Sequence, residues 1–400
     1  MFDYQKAFEE NIDKIKREGR YRKFTPIERN AQKFPKAFLV EKDKKTEITL
    51  WCSNDYLGQG CNPIVLDAMQ TTLRESGAGA GGTRNISGNN IHHLLLEECL
   101  ATYHKKENAL LFTSGYIANE AAISVLAKTL PQCIIFSDEK NHASIIQGIR
   151  ASGVQKHIFK HNDLRDLENK LKLYPTEQPK IIIFESVYSM DGDFGDIQGI
   201  VNLAKKYNAL TYLDEVHAVG MYGETGAGLA EKLGLEKEID IIQGTLGKAI
   251  GCIGGYIAST NSIVDTIRSN ASGFIFTTSL PPIITKGAQV SIEYLRGPEG
   301  KKIREKHQKI AQFTKQRLLS EGFPILDCPS HIIPFMVKDT HLCTEIAKNL
   351  LQDFQIYIQP INYPTVAKGQ ERLRITPTPF HNEEHVEELI KSLKSVWGKP

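Results

Sequence analysis

The chain has 400 residues, of which 41% are hydrophobic and 24% charged, as is typical of a globular protein with more than one compact unit. Its formal net charge of +2 predicts no binding to nucleic acid, because the basic field that such proteins present is missing. The seven cysteines are scattered and form no Cys-x-x-Cys pair, which indicates free thiols in a reducing compartment and no metal site.

The first residues of the chain carry charges of both signs, a pattern that is typical of neither a signal peptide nor a transit peptide. No apolar run approaches the ~20 residues that would cross a bilayer, so we expect no contact with a membrane. The sequence therefore predicts a location in the bacterial cytoplasm, or in the mitochondrial matrix if the chain is a processed organellar form.

The N-terminal residues predict a helix and a short hairpin, followed by a helical stretch at 63–76. Apolar strand-like runs then alternate with amphipathic helical stretches. The strands are predicted at 109–113, 134–137, 157–160, 180–186, 210–214, 239–243 and 255–258, and the helices at 121–130, 144–151, 164–173, 197–207 and 228–235. Strands that are apolar on both faces and alternate with helices are typical of a covered parallel sheet. We therefore expect an α/β fold with a mostly parallel seven-stranded sheet.

The pattern changes near residue 282, where a long helical stretch begins that is interrupted at Gly297 and Pro298. Further strands are predicted at 332–337, 356–360 and 372–376, and further helices at 341–354 and 383–397. Elements grouped in this way indicate a smaller α+β domain. The sequence thus predicts three parts: an N-terminal helix and hairpin segment at 1–60, a large domain at 61–290 and a C-terminal α+β domain at 291–400.

Polar side chains follow five of the predicted strands, at residues 113–116, 137–142, 185–192, 214–217 and 245–248. In a sheet of this kind, ligands bind beyond the carboxyl ends of the strands. A helix begins soon after the first of these segments, and its free N–H groups suit a phosphate. The sequence therefore predicts a ligand site along this edge of the sheet.

The turn GTLGKA at residues 244–249 presents Lys248 after one strand-like run, and Asp214 ends the run before it. Taken alone, such a lysine is more often a surface residue, and such an aspartate is as often a helix cap or a metal ligand. Together they favour pyridoxal phosphate (PLP), because a lysine forms a Schiff base with its aldehyde and an aspartate keeps its ring nitrogen protonated. An incoming amine would release Lys248 to act as the base that moves a Cα proton.

Three other patterns have simpler interpretations. His142, at a predicted helix start, is by itself more often a capping or core histidine, although a ring stacked on the cofactor fits its position. The glycines at 77–82 match G-x-G-x-x-G, but a helical stretch precedes them where a dinucleotide-binding fingerprint needs a strand. His157 and His161 have the spacing of a helical metal site, but they lie in a strand-like segment, so we expect no metal there.

Six segments of the chain resemble those of one enzyme family. They are WCSNDYLG at 51–58, GTRNISG at 82–88, SVYSMDGD at 186–193, DEVHAVG at 214–220, FIFTTSLPP at 274–282 and QPINYPTV at 359–366. On these segments the chain resembles the α-oxoamine synthases, PLP enzymes of the aspartate aminotransferase fold (fold type I). Within them it is similar to the 5-aminolevulinate synthases, since sister enzymes differ at 84–86 and 361–363. Residues 89–93 depart from the family pattern but carry no implied role.

The resemblance implies a PLP site shared between two subunits of a homodimer, with Lys248, His142 and Asp214 as catalytic residues. Lys248 would bind the aldehyde, Asp214 would pair with the ring nitrogen, and His142 would stack on the ring. The other implied cofactor contacts are Ser189 and His217 at the 3-oxygen, Gly115, Tyr116 and Thr245 at the phosphate, and Thr277 and Thr278 at the phosphate from the second subunit.

The resemblance also implies two acidic substrates, glycine and succinyl-CoA. The implied contacts are Arg374 with the glycine carboxylate, Arg22, Asn85 and Ser137 with the succinyl end, Lys156 and Thr365 with coenzyme A or the acyl chain, and Asn54 and Thr83 in excluding larger amino acids. Two carboxylates suit two guanidinium groups. However, strand alternation places Arg372 on the same face as Arg374, and Arg20 is a rival of Arg22, so only the family selects between them.

The implied reaction is the condensation of glycine with succinyl-CoA to 5-aminolevulinate, coenzyme A and carbon dioxide, the first step of haem biosynthesis. One alternative is a sister synthase that uses another acyl-CoA, such as 2-amino-3-oxobutyrate CoA ligase or 8-amino-7-oxononanoate synthase. Others are a non-catalytic regulator with a PLP fold and an aminotransferase. The intact lysine, aspartate and histidine argue against the regulator.

Overall fold

The computed structural model describes residues 1–42 and 44–397 and divides the chain into two compact units. The sheet unit contains Asn54–Ser189 and Asp193–Lys306. The terminal unit contains Met1–Ser53, the three residues Met190–Gly192 and the chain from His307 onwards. The grouping of the first 53 residues with the C-terminal part was not predicted from the sequence. The domain boundaries predicted after residues 60 and 290 stay predictions.

The helices and strands are numbered in chain order. The helices are α1 Tyr4–Arg17, α2 Pro63–Ser76, α3 Ile91–Tyr103, α4 Gly115–Thr129, α5 Ala143–Ser152, α6 Leu164–Leu171, α7 Ile197–Tyr207, α8 Leu229–Leu233, α9 Asn261–Asn270, α10 Ser272–Ile275, α11 Pro282–Arg296, α12 Pro298–Ser320, α13 Thr340–Phe354 and α14 Glu383–Trp397. The strands are β1 Ile27–Arg29, β2 Lys36–Glu41, β3 Lys44–Leu50, β4 Asn108–Phe112, β5 Ile134–Asp138, β6 Gln155–Phe159, β7 Lys180–Glu185, β8 Leu210–Asp214, β9 Ile241–Thr245, β10 Gly255–Ser259, β11 Ile333–Met336, β12 Ile356–Tyr357, β13 Pro360–Ile361 and β14 Arg372–Ile375.

The sheet unit is built on seven strands in the order β4-β10-β9-β8-β7-β5-β6. Strand β10 runs antiparallel to both of its neighbours, and the other pairs are parallel. Every residue of the central strand β7 is buried, as expected of a strand covered on both faces. The predicted mostly parallel seven-stranded α/β sheet is thus confirmed.

Short loops at the carboxyl edge of this sheet bring two helix N-termini to the strand ends. Helix α4 begins at Gly115, directly after β4, and the Ser114 side chain caps it by accepting from the Ile117 N–H. Helix α5 follows β5, and His142 is its N-cap. The helical pattern predicted for α4 from residue 121 was therefore too short. Its first turn contains a glycine, a tyrosine and one β-branched residue, all of lower helix propensity than alanine, and the cap at Ser114 fixes this turn instead.

The terminal unit contains two smaller sheets and the last helices of the chain. One sheet has the order β1-β2-β3-β12, and the other is antiparallel with the order β11-β14-β13. A buried core that includes Trp51, Phe335, Leu350 and Leu373 joins the second sheet to its helices. The strand predicted at 356–360 forms two short strands instead, one in each sheet.

Helix α3 is an element that the sequence analysis missed. Three consecutive leucines, residues 94–96, obscure the 3.6-residue period, and the capping box pairs Asn90 with His93 in place of the usual glutamate or glutamine. Two of these leucines, Leu94 and Leu95, are exposed. Among the described residues, no helix has both the length and the apolar character needed to cross a membrane.

The loss of unfolding free energy on replacing an isoleucine of the sheet by alanine should depend on how deeply that isoleucine is buried. Ile183 on β7 is 0% exposed, whereas Ile158 on the edge strand β6 is 48% exposed. Ile183→Ala should lower the free energy of unfolding by about 2–5 kcal/mol because it leaves a cavity. Ile158→Ala, the matched control, should change it by about 0.5 kcal/mol. Urea unfolding of the cofactor-free chain measures both, and equal losses would contradict the burial described here.

Candidate active site at the carboxyl edge of the sheet

Lys248 lies on the turn that follows β9 and points its amine at a histidine on the neighbouring strand end. The Lys248 Nζ atom is 3.1 Å from Nε2 of His217, which follows β8. The Nδ1 atom of the same ring is 2.7 Å from the hydroxyl of Tyr56. Tyr56 in turn donates to Oδ1 of Asn54 at 3.3 Å. Hydrogen bonds on both ring nitrogens therefore fix the His217 ring against the lysine.

Asp214 is the last residue of β8 and is only 2% exposed. Its Oδ2 accepts from Nδ2 of Asn119 at 2.8 Å, and its Oδ1 accepts from the Val216 N–H at 3.0 Å. The hydroxyl of Tyr212 donates to Oδ1 of Asn119 at 2.9 Å, which sets the orientation of that amide. The carboxylate is thus held rigidly at the edge of the sheet, with lone pairs still available to a further N–H donor.

The amide of Asn119 also connects Asp214 with the start of α5. Its Nδ2 atom lies 3.0 Å from Oγ of Ser144, and that hydroxyl is 2.8 Å from Nδ1 of His142. Burial lowers the pKa of His142, and the charge of Lys248 adds to this effect against the opposing influence of Asp214. The imidazole is therefore neutral near pH 7, as an aromatic ring that stacks on a ligand requires.

Glu185 ends β7 and pairs in register with Asp214, so two carboxyl groups lie side by side at the strand ends. Its Oε1 accepts from the backbone N–H of His142 at 2.5 Å. Burial and the neighbouring Asp214 raise the pKa of Glu185 well above its usual range. Burial thus favours the neutral form of Glu185, whose side chain holds the loop that carries His142.

The start of α4 and the end of β9 form a cradle for an anion. The first-turn N–H groups of α4 have no partner within the helix, and Gly115 in this turn lies beside the Thr245 side chain. A Cβ atom on Gly115 would lie 3.4 Å from that hydroxyl, and one on Gly255 would lie 2.4 Å from the Gly115 nitrogen. Only glycine at residue 255 allows β10 to lie this close to the helix end.

The segments containing Thr83 and Thr278 come together within one chain. These two residues form an isolated β-bridge, and Oγ of Ser279 donates to the carbonyls of Gly82 and Gly88 at 2.9 and 2.8 Å. Thr277 lines a small cavity together with Arg84. The predicted contact of Thr277 and Thr278 with the phosphate of a second subunit stays a prediction.

Three predicted substrate residues of the sheet unit have different surroundings. Asn85 and Lys156 are exposed, the latter on the edge strand β6. Ser137 is buried, and its hydroxyl donates to the Asp138 carbonyl at 3.2 Å and accepts from Nδ2 of Asn141 at 2.9 Å. The structure thus gives Ser137 a part in the β5–α5 turn, and the contacts of all three with substrate stay predictions.

In the terminal unit, the surroundings of the rival arginine Arg372 are well defined. Arg372 donates to Oδ1 of Asp191 at 2.7 Å and to the Met190 carbonyl at 2.8 Å. The guanidinium of Arg372 is therefore used within the unit, and the contact of Arg374 with the glycine carboxylate stays a prediction.

The N-terminal rivals differ in the same way. Arg20 donates to Oε2 of Glu18 at 2.6 Å. Arg22 instead donates to Oγ1 of Thr365 at 3.1 Å, so the structure brings two predicted substrate residues together.

Tyr56, Asn119 and Glu185 are site residues to which the sequence analysis gave no role. Asn119 lay outside the helix predicted at 121–130, so its place on the buried side of α4 gave no signal, whereas Glu185 was detectable as a second carboxylate at a strand end. Tyr56 lies in one of the segments on which the resemblance rests. Ser189, by contrast, lies in the loop after β7 as predicted, and its contact with a ligand stays a prediction.

Comparisons with known proteins agree with this geometry. The profile of the family "Aminotransferase class I and II" matches residues 46–393. The 5-aminolevulinate synthase of Paracoccus denitrificans is 52% identical over 398 residues, covering 99% of this chain and 97% of that protein. The 5-aminolevulinate synthase 1 of Cereibacter sphaeroides is 52% identical over 396 residues, with the same coverage.

Among solved structures, SPT with a PLP internal aldimine superposes with a TM-score of 0.89 at 28% identity, covering 99% of this chain and 98% of that one. The family profile matches most of the chain, and about half of all residues are identical to those of named synthases. Both findings agree with the fold described above. The chain therefore belongs to the 5-aminolevulinate synthases, within the class I and II aminotransferase family.

Proposed function

We propose that this chain is a PLP-dependent acyltransferase that condenses glycine with succinyl-CoA to form 5-aminolevulinate, coenzyme A and carbon dioxide, the first step of haem biosynthesis. The observation that carries the proposal is the arrangement of Lys248 and Asp214 on adjacent strand ends, in a chain that is 52% identical to 5-aminolevulinate synthases over 99% of its length.

The residues of the sheet unit fit PLP. An amine for the aldehyde, a buried carboxylate for the ring nitrogen and a helix N-terminus for the phosphate all lie at the carboxyl edge of the sheet. The missing Cβ at Gly255 lets β10 lie against the start of α4. When bound, PLP supplies an electron-withdrawing ring that stabilises negative charge at the substrate Cα.

The side chains around Lys248 hold and move the proton of the reaction. Lys248 is the base that takes a proton from the glycine Cα and later returns it, and the 3.1 Å contact with His217 fixes the position of its amine. Asp214 holds a positive charge on the ring nitrogen through its remaining lone pairs. The neutral ring of His142 contacts the cofactor face without competing with that charge.

For the substrates, we propose that Arg374 binds the glycine carboxylate and that Arg22 with Thr365 binds the succinyl carboxylate. For Arg22, support comes from its hydrogen bond to Thr365 and from the ion pair that engages its rival Arg20 with Glu18. The choice of Arg374 follows the family. Bidentate guanidinium–carboxylate pairs suit substrates that each carry one carboxylate.

The remaining substrate contacts follow the family. We propose that Thr83 and Asn54 crowd the amino-acid pocket so that only glycine fits. We assign Asn85 and Ser137 to the succinyl end, and Lys156 to coenzyme A or the acyl chain.

We also propose a homodimer in which Thr277 and Thr278 reach the phosphate of the partner site. The neighbouring side chains of Phe276 and Ile86 are 79% and 81% exposed, and a second copy would cover them. The compartment that we propose is the bacterial cytoplasm, or the mitochondrial matrix for a processed organellar form, since relatives of both kinds match over 99% of the chain.

The substrate assignment is tested by steady-state assays of the PLP-loaded protein with glycine and acetyl-, succinyl- or pimeloyl-CoA. We expect the highest kcat/KM with succinyl-CoA. A preference for another thioester would identify a sister synthase instead. Amino transfer to an oxo acid would identify an aminotransferase, and the absence of coenzyme A release with every thioester would identify a regulator.

Lys248→Ala should abolish covalent trapping of PLP by borohydride and lower the rate of 5-aminolevulinate formation by at least about 10²-fold, because the chain loses its proton-transferring base. Peptide mass mapping after reduction measures the trapping. Lys128→Ala, which removes an exposed lysine from α4, is the control and should keep both properties. Label on any lysine other than residue 248 in the unaltered chain would contradict this role.

Asp214→Asn should reduce kcat by about 10²–10³-fold, because a carboxylate aimed at a developing charge is replaced by a neutral group of similar shape. Asp240→Asn is a matched control, since Asp240 precedes β9 at the opposite edge of the sheet, where it binds Thr211. The control should keep the wild-type kcat. Equal losses in the two variants would show that the charge of Asp214 has no special part in catalysis.

Arg374→Gln should raise the KM for glycine by roughly 10–100-fold, as expected for the loss of charged hydrogen bonds worth about 1.5–3 kcal/mol. Arg372→Gln should instead destabilise the protein by about 3 kcal/mol, because it removes the ion pair of a buried guanidinium with Asp191. Glycine titrations and urea unfolding of both variants separate the two roles. The reverse pattern would assign the glycine carboxylate to Arg372.

A further inference from the structure

His161 lies between two carboxylates at the carboxyl edge of the sheet unit. Its Nδ1 atom is 2.9 Å from Oδ1 of Asp138, and its Nε2 atom is 2.5 Å from Oδ2 of Asp193. A carboxylate only accepts hydrogen bonds, so both ring nitrogens donate and the ring is an imidazolium. The His161 side chain is 10% exposed, and that of Asp138 is 1% exposed. Nothing in the mechanism above uses this residue.

The first carboxylate, Asp138, holds by hydrogen bonds the loop that carries His142. It ends β5, and its side chain accepts from the N–H groups of Lys140 at 2.9 Å and Asn162 at 3.1 Å. Its own carbonyl accepts from the Asn141 N–H at 3.2 Å. These bonds shape the turn between β5 and α5, whose last residue is His142.

The second carboxylate, Asp193, belongs to the loop that contains Ser189. Val187 and Phe194 form a β-bridge at the base of this loop, and the Tyr188 N–H donates to the Asp193 carbonyl at 3.1 Å. We call residues 187–194 the β7 hairpin. Asn162, next to His161, also donates to the Phe194 carbonyl at 2.9 Å. Residues 161–162 thus bind the last two residues of the β7 hairpin.

We propose that His161 is a positioning residue: as an imidazolium with both N–H groups engaged, it ties the turn that presents His142 to the hairpin that presents Ser189. The two loops follow strands β5 and β7, which are neighbours in the sheet, and His161 follows β6 on the outer side of β5. This proposal rests on the proposed function only where it uses the reaction rate as a readout.

The same residues do not form a metal site. The two carboxylates contact opposite nitrogens of one ring and so do not converge on a single point. Within residues 1–42 and 44–397, no group of His, Cys, Asp and Glu side chains is arranged to hold a metal ion. The other titratable groups that face His161 are Tyr188, which packs edge-on at 4.4 Å, and Glu139, which accepts from the His161 backbone N–H at 3.0 Å.

The charge of His161 makes the tie dependent on pH. Burial opposes the charge, but the hydrogen bonds to Asp138 and Asp193 outweigh it and raise the pKa of His161 to about 9. An imidazole in an unfolded chain has a pKa of about 6.5. The stabilisation that the tie provides is therefore complete below about pH 6.5 and is lost as the pH rises through about 9.

The test uses the PLP-loaded enzyme and two variants, His161→Asn and Asp193→Asn. The control is His157→Asn, because His157 lies on β6, the strand that precedes His161, but binds Tyr174 instead of the two loops. The visible circular dichroism of bound PLP reports whether the cofactor is held in one geometry. Hydrogen–deuterium exchange of peptides from the β7 hairpin, measured without cofactor, reports the tie directly. PLP affinity, kcat and KM complete the set, and urea unfolding of each variant measures overall stability separately.

His161→Asn should weaken PLP binding by about tenfold or more, reduce the dichroism and accelerate exchange in the β7 hairpin, since it removes a charged hydrogen bond. Its kcat should fall more than its KM changes. His157→Asn should leave all of these unchanged. A variant at residue 161 with wild-type dichroism and wild-type exchange in the hairpin would overturn the proposal, as would equal effects from the control.

Asp193→Asn keeps a group of the same shape but removes one of the charges that hold the proton on His161. The midpoint of the loss of dichroism at high pH should therefore fall by about 1–3 pH units. The pH titration of Asp193→Asn tests the proposal even if His161→Asn fails to fold. An unchanged midpoint would overturn the proposal. Failure of the unaltered chain to turn over glycine and succinyl-CoA would contradict the proposed function alone, because the dichroism, exchange and affinity measurements do not depend on it.

Discussion

The structure depends on one electrostatic arrangement: a buried carboxylate, Asp214, fixed at the end of β8 beside the turn that carries Lys248. Two N–H donors hold this carboxylate, and the amide of Asn119, itself oriented by Tyr212, provides one of them. A parallel sheet makes such an arrangement possible, because neighbouring strands end at the same edge. The core beneath the site therefore serves to keep an acid and an amine at a fixed separation.

The neighbours of Asp214 favour their uncharged forms. Burial raises the pKa of Glu185 and lowers that of His142. The surroundings of the site therefore disfavour further charge beside the carboxylate and the amine that take part in the chemistry. At the outer strands, the imidazolium of His161 is a third fixed charge, and it is balanced by two carboxylates of the loops that it connects.

Much of this architecture could be predicted from the sequence, because fully apolar strands alternating with helices leave few other folds. Lys248 and Asp214 stood out because their positions relative to the strand ends are unusual for their residue types. The interactions that depend on side-chain geometry could not be predicted in this way. The alternation of β14 places Arg372 and Arg374 on one face, and the hydrogen bonds of Arg372 to Asp191 and Met190 depend on loops far away in the sequence. Helix α3 and the part played by Asn119 remained hidden because their signals arise from capping and tertiary contacts.

The central claim is that Asp214 holds a positive charge on the ring nitrogen of the bound cofactor. Nitrogen-15 NMR of the enzyme loaded with PLP labelled at that nitrogen tests it most directly, since the chemical shift separates a protonated from a neutral ring. The account predicts a protonated nitrogen at pH 7 in the unaltered enzyme and its loss in Asp214→Asn, with the folded structure retained. A neutral ring nitrogen in the unaltered enzyme would contradict it.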